Sequence, residues 1–180
     1  MADLTALKDR IAAATRRQRE EYARGQDRPL RGYVATMSVY GSLVAGGTLL
    51  ARVTGRPVPD RISPWDAALI AVATHKLSRL IAKDPVTSPL RAPFTAYQGT
   101  SGPSELAEEV RGQGGRKAAG ELISCPFCIG TWAATAFTAG HVFFPRLTRL
   151  VTTALATQAG ADFLQFGYAL AEQAAEGGSG

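Results

Sequence analysis

Two cysteines stand three residues apart in Ser124-Cys125-Pro126-Phe127-Cys128, and the chain has no others. Proline is favoured at the first position of a helix, so the spacing predicts a helix beginning at Pro126. Cys125 is then its N-cap and Cys128 its third residue. Unpaired N–H groups at such an end stabilise thiolate and lower a thiol pKa. Two chemistries fit: thiol–disulfide exchange, or half of a zinc site. A closed zinc site takes four ligands, and there is no second cysteine pair. The only histidines, His75 and His141, fall near opposite ends of the predicted helices. Two small apolar side chains packed at a helix start is a third reading, because free cysteine is among the most buried residue types. Cys125 and Cys128 are thus candidate thiols and candidate metal ligands, and no catalytic set is complete.

A second group of chemistry-bearing residues lies upstream, in Thr74-His75-Lys76-Leu77-Ser78-Arg79, followed by Asp84-Pro85 and Arg91. Cations in an apolar helix are costly and mark functional sites by default. His75 and Arg79 are four apart and share a face. Lys76 is expected to snorkel, with its stem on apolar surface and its head in water. Asp84 precedes a proline, which favours extended backbone and ends the helix there. Arg91 can then fold back and fork onto Asp84 or onto the helix C-terminus. His75, Arg79, Asp84 and Arg91 are the predicted lining of a site. Arg79 is expected within a side-chain length of the cysteines, where its charge would depress a thiol pKa further.

The elements that carry these residues are set by where charge is absent. The chain has 180 residues, 46% hydrophobic and only 19% charged, with a net charge of +5. From Tyr33 to Ala51 there are 19 residues without a charge. At 1.5 Å per residue that run is about 28 Å long, close to the ~30 Å of a bilayer core. A second uncharged run extends from Leu122 to Pro145, and a third from Leu150 to Ala161. The helix 65–82 is apolar on one face and carries Asp66, His75, Lys76 and Arg79 on the other. A soluble helix needs a polar face toward water, and the first and third runs have none. The predicted fold is therefore all-α: an integral-membrane bundle of about four transmembrane helices at 33–52, 65–82, 122–145 and 149–171. A basic amphipathic helix within 1–32 precedes it, a polar cytoplasmic loop spans 83–121, and the tail 172–180 is expected to be disordered.

Orientation follows from Lys/Arg counts. Residues 1–32 hold eight and the loop 83–121 holds five, against five in the connections on the other side. The excess predicts both termini in the cytoplasm of a bacterial cell. Within the loop, Ser104–Arg111 is expected to be a short helix, with Ser104 as N-cap and acidic residues in its first turns. Gly41-x-x-x-Ala45 and Gly130-x-x-x-Ala134 allow close helix crossing. The pI of 9.6 is accounted for by topology, and no nucleic-acid-binding motif is present. The composition excludes a disordered chain, a secreted disulfide framework and a His-rich metal enzyme.

The block THKLSRLIAKDPVTSPLRAPF, a variable polar loop and then ELISCPFCIGTWAA resembles the bacterial membrane-protein family known as domain of unknown function 1360. The residues that carry the resemblance are Lys76, Arg79, Asp84, Arg91 and Pro93, then Cys125-Pro126-x-Cys128-x-Gly130-x-Trp132. The resemblance implies a small multi-pass protein and no reaction. The expected role is a non-enzymatic membrane component or scaffold with no cofactor, whose cytoplasmic face docks a protein partner. Its other expected partners are the lipid bilayer and further copies of itself, with no nucleic acid. The rivals are a membrane thiol–disulfide oxidoreductase using Cys125 and Cys128, and a metal-binding membrane protein.

Overall fold

The computed structural model describes residues 2–177. In chain order the elements are α1 (Ala2–Ala23), α2 (Leu30–Val53), α3 (Pro64–Lys83), a 3-10 turn at Pro85–Thr87, α4 (Ser88–Arg91), β1 (Thr95–Gly102), β2 (Glu105–Val110), α5 (Gly114–Ser124), α6 (Pro126–Phe143) and α7 (Pro145–Gly177). Three helices open on proline where the missing N–H costs nothing. Pro64 follows the N-cap Ser63, whose hydroxyl accepts from the Asp66 N–H at 3.0 Å. Pro126 follows Cys125, and Pro145 begins α7.

The central helix is α3, which packs along both α6 and α7. Ile70 and Ala73 meet Ala133 and Phe137 of α6 in the buried core, with Leu77 and Leu155 packed against it. Small residues let these helices approach. A side chain on Gly130 would come into ordinary contact with Thr74 and Ser78, and one on Gly140 would strike the Thr148 hydroxyl. By contrast, α2 buries only Gly32 and Ala51. Its first turns rest on α5, where a Cβ on Gly32 would lie 2.6 Å from that of Ala118. Further along, the Tyr40 ring stands edge-on to Trp132 at 5.2 Å, and its hydroxyl is 2.8 Å from that of Thr135.

The predicted four-span, all-α bundle is overturned. Among the described residues only α2 is by itself long and apolar enough to cross a membrane. The pair α5 and α6 passes the same test jointly, yet it is bent by 78° at the break between them. Neither α3 nor α7 passes: α3 carries Asp66, Lys76 and Arg79 along its length, and α7 is diluted by Gln158, Asp162, Gln165 and its threonines. Lys76 pairs with Asp162 at 2.5 Å, and Arg149 with Asp66 at 2.9 Å.

The stretch 83–121 is folded throughout. β1 and β2 form an antiparallel hairpin with Thr95 opposite Val110, Tyr97 opposite Glu108 and Gly102 opposite Glu105. Register shifts between Tyr97 and Gly99 and between Thr100 and Gly102 twist it. The helix expected at Ser104–Arg111 is strand β2. Ser104 sits in the turn with φ of 58° and is not a helix cap. At the C-terminus α7 runs on to Gly177, across most of the expected disordered tail; 178–180 lie outside the described residues.

Candidate functional site

Asp84 ends α3 in extended backbone, and its carboxylate accepts from the Val86 N–H at 2.8 Å, capping the 3-10 turn. The chain then turns back through α4 and delivers Arg91 beneath the last turn of α3. Arg91 has no exposed side-chain surface. Its guanidinium donates to the carbonyls of Ile81 (2.7 Å) and Asp84 (3.0 Å), to the Thr87 hydroxyl (2.8 Å) and to the Glu108 carboxylate (2.5 Å). The sequence points Arg91 at a helix C-terminus. It does not show Glu108, which the hairpin brings in from 17 residues away. The next turn of chain is gripped as well: Arg111 donates to the Ala92 carbonyl and Arg116 to that of Pro93. One buried guanidinium thus ties the end of α3, the 3-10 turn and the hairpin into a single unit.

Beside this unit, α3, α7 and the hairpin turn line a groove of mixed polar and apolar character, about 640 Å³. His75, Arg79, Lys83, Ser104, Asp162 and Phe163 are among its lining. The sequence groups His75, Arg79 and Asp84, and the groove brings them together. Arg79 is held by Glu105 of the hairpin. Lys76 does not snorkel: its side chain is only 14% exposed, and its ammonium is paired with Asp162 of α7. His75 stacks on Phe163 with ring centroids 6.5 Å apart. Lys83 has no ion-pair or hydrogen-bond partner among the described residues. Asp162 is the carboxylate that sequence reasoning passed over. A lone acid in an apolar helix calls for a cation on its neighbour, and that signal was present.

The cysteines lie elsewhere. Cys125 is the N-cap of α6, and its sulfur accepts from the Cys128 N–H at 3.3 Å. Their neighbour is Glu121, at the end of α5. The Cys128 thiol is pushed up to about 11, first by burial, then by its contact with Cys125 and by the negative charge of Glu121. No cation acts on it, so the expected depression by Arg79 is absent. Nor do three or more His, Cys, Asp or Glu side chains converge as a metal-ligand cluster among the described residues.

At the opposite end of α3, Arg149 donates two hydrogen bonds of 2.9 Å to Asp66, and His141 comes within 3.5 Å of the same carboxylate. The Arg149 bonds hold the Asp66 carboxyl down to about 2, against the opposing effect of burial; the Ser63 hydrogen bond adds to them. This cluster was not foreseen, because its members are separated by 83 residues and each reads alone as an interfacial charge.

The family described as "Protein of unknown function (DUF1360)" matches residues 69–168, more than half of the chain. The chain belongs to this family. The DUF1360 match takes in the groove, the Arg91 clamp and the cysteine pair, and it leaves out α1, α2 and Asp66. The sporulation protein YjcA of Bacillus subtilis (strain 168) is 35% identical over 69 residues, which are 37% of this chain and 58% of that protein. The chain thus matches less than two thirds of that relative's length. No solved structure matches.

Proposed function

We propose that this DUF1360 member is a membrane-anchored, non-enzymatic docking protein, held in the bilayer by α2 and presenting the clamped hairpin unit to a protein partner. The observation that carries this is α2 itself. It has 24 residues, leaves Val34, Met37, Leu43, Leu49 and Leu50 exposed, and has 6% of its apolar window buried. A helix that is apolar all round needs a cover, and lipid supplies one along its whole length. The Lys/Arg excess ahead of Tyr33 favours the cytoplasmic side of a bacterial membrane for the N-terminal flank. The hairpin unit belongs to the same end of α2, because Lys117 of α5 donates to the Asp27 carbonyl at 2.6 Å.

A docking role is favoured over thiol–disulfide exchange because the sequence offers a single cysteine pair and no second pair to pass electrons to. The ionised groups around α3 are also largely engaged with one another. Sporulation, the process named for the Bacillus relative, is where a partner is best sought.

Two experiments test the proposal. Alkaline carbonate should leave the chain in the membrane pellet. A Leu43→Glu, Val44→Glu variant should be released, since each charge at a span centre costs about 2.5–3.5 kcal/mol. Wild-type protein in the supernatant would remove the anchor. A photo-crosslinker at Tyr97 on the hairpin should capture one protein in living cells, and the same probe at Arg61 should not. Identical capture patterns at the two positions would dismiss the hairpin as the docking surface.

A further inference from the structure

We infer that α1 is a membrane-surface helix that binds anionic phospholipid, lying flat with its apolar stripe in the headgroup layer and its flanking cations on lipid phosphates. Three observations converge on it. The first is an uncovered stripe. Leu4, Leu7 and Ile11 share one face of α1 and remain 64%, 53% and 57% exposed, and Tyr22 continues the same face into the last turn. The second is how the charges are sorted around that stripe. At about 100° of rotation per residue, Lys8 and Arg19 fall along one edge and Arg10 and Arg17 along the other, each roughly 70–110° from the centre. Asp9 and Glu20 fall on the opposite face, and Glu21 stands at an edge in the last turn. None of the four edge cations forms an ion pair among the described residues. Residues 1–32 hold eight Lys/Arg against five Asp/Glu, so the total alone selects weakly. Placement selects: cations at the boundary of an apolar stripe lie at the depth of lipid phosphates, and acids on the back face point to water.

The third observation is the tether, and it names the occupant. Residues 24–29 alone separate α1 from α2. Fully extended, that link reaches about 20 Å. Lys117 of α5 holds it at the Asp27 carbonyl. The near end of α1 therefore cannot leave the surface of a bilayer that α2 crosses, and the leaflet on that side is the cytoplasmic one, whose surface is negative. A second copy of the chain is the other natural cover for such a stripe. Leu4, Leu7, Ile11 and Ala14 keep coiled-coil order for two heptads, and Gln18 and Glu21 then break it. A coiled coil sustains its pattern over at least three or four.

The inference rests on the membrane reading above, and its test reads the two separately. The full chain is placed in nanodiscs of phosphatidylcholine, alone or mixed with phosphatidylglycerol, and amide hydrogen exchange is followed over 4–22. Exchange there should be about tenfold slower or more in the mixed bilayer, since each basic residue near an anionic surface favours binding about fivefold. The decisive variant combines Lys8→Asp with Asp9→Lys and Arg19→Glu with Glu20→Arg. It keeps the composition and the net charge and moves two cations from the edge to the back face. It should lose the difference between the two bilayers and keep the melting temperature of the wild type. A swapped chain that matches the wild type in both bilayers would overturn the recognition, because net charge alone would then account for the effect. Equal exchange of the wild type in both bilayers would overturn it too. Protection that rises with chain concentration in neutral detergent, and is the same in both bilayers, would assign the stripe to a second copy instead. A chain that resists carbonate while 4–22 exchanges equally fast in both bilayers would refute this surface and leave the anchor standing. A chain that carbonate releases, yet whose 4–22 segment is protected by added phosphatidylglycerol vesicles and not by phosphatidylcholine ones, would do the reverse.

Discussion

Arg91 carries a full charge with no surface on water, so its value to the fold is the difference between a costly desolvation and the bonds that offset it. Its partners come from the end of α3, the 3-10 turn and the hairpin. Arg91→Ala would strand Glu108, itself only 7% exposed, without a cation. The expected loss is about 3–5 kcal/mol, read as a lower melting temperature and as faster proteolysis within 84–112. Arg91→Lys should recover little, because one ammonium cannot reproduce the fork. Arg91→Met combined with Glu108→Gln should lose less than Arg91→Ala alone. At the far end, Asp66 sets an acid limit. Its folded pKa of about 2 lies below the ordinary carboxylate value of 3.8, so its pairing stabilises above that value and is lost as pH falls toward 2. Acid unfolding of Asp66→Asn should lack that sloping segment, and an unchanged profile would show that Arg149 contributes nothing. The raised Cys128 thiol should alkylate more slowly than a free cysteine at neutral pH and accelerate as pH approaches about 11. Sequence shows Arg91 turning back because Asp84-Pro85 stops the helix. Its carboxylate stays hidden, since finding it requires knowing that 95–110 is a hairpin.

At the scale of elements, the hairpin was hardest to see, and for a physical reason. SELAEEVR has strong helix formers and acids where a helix would start, whereas TAYQGTSG has few β-branched residues. Pairing across the turn, the Glu108–Arg91 bond and the docking of α5 together override that local preference. The starts of α3 and α6 were legible for the opposite reason, since Ser63-Pro64 and Cys125-Pro126 are local signals. How α2 meets α5 depends on one missing side chain. A methyl on Gly32 would lie 2.6 Å from the Ala118 Cβ and 3.2 Å from the Gly114 carbonyl oxygen. Gly32→Ala should cost about 1–3 kcal/mol, and Ala118→Gly in the same chain should recover part of it. Melting of the four proteins in detergent supplies the double-mutant cycle, and simple additivity would argue that the two sites do not touch.

For the whole molecule, sequence located the long apolar runs and favoured the first and third as spans, of which only the first passes as a helix of its own; a charge that crosses to a neighbouring helix and one that ends a span look alike in one dimension. Lys76 and Asp162 are an example. Val34, Met37, Leu43, Leu49 and Leu50 stand exposed along α2 alone, the kind of uncovered apolar run that marks an interaction site or an aggregation hazard. The purified protein should therefore scatter light as large aggregates in plain buffer and collapse to a single small species above the critical micelle concentration. Monodisperse protein without detergent would count against a lipid-covered surface. The contact of α2 with α5 has a further consequence, one of time. Asp27 waits for Lys117, 90 residues further along the chain. At about 5–20 residues per second the ribosome needs roughly 5 to 20 seconds to supply it. For the later part of that interval the finished α2 has no α5 to rest on, and whatever shelters it during synthesis, a translocation channel or a chaperone, meets it before its own fold does.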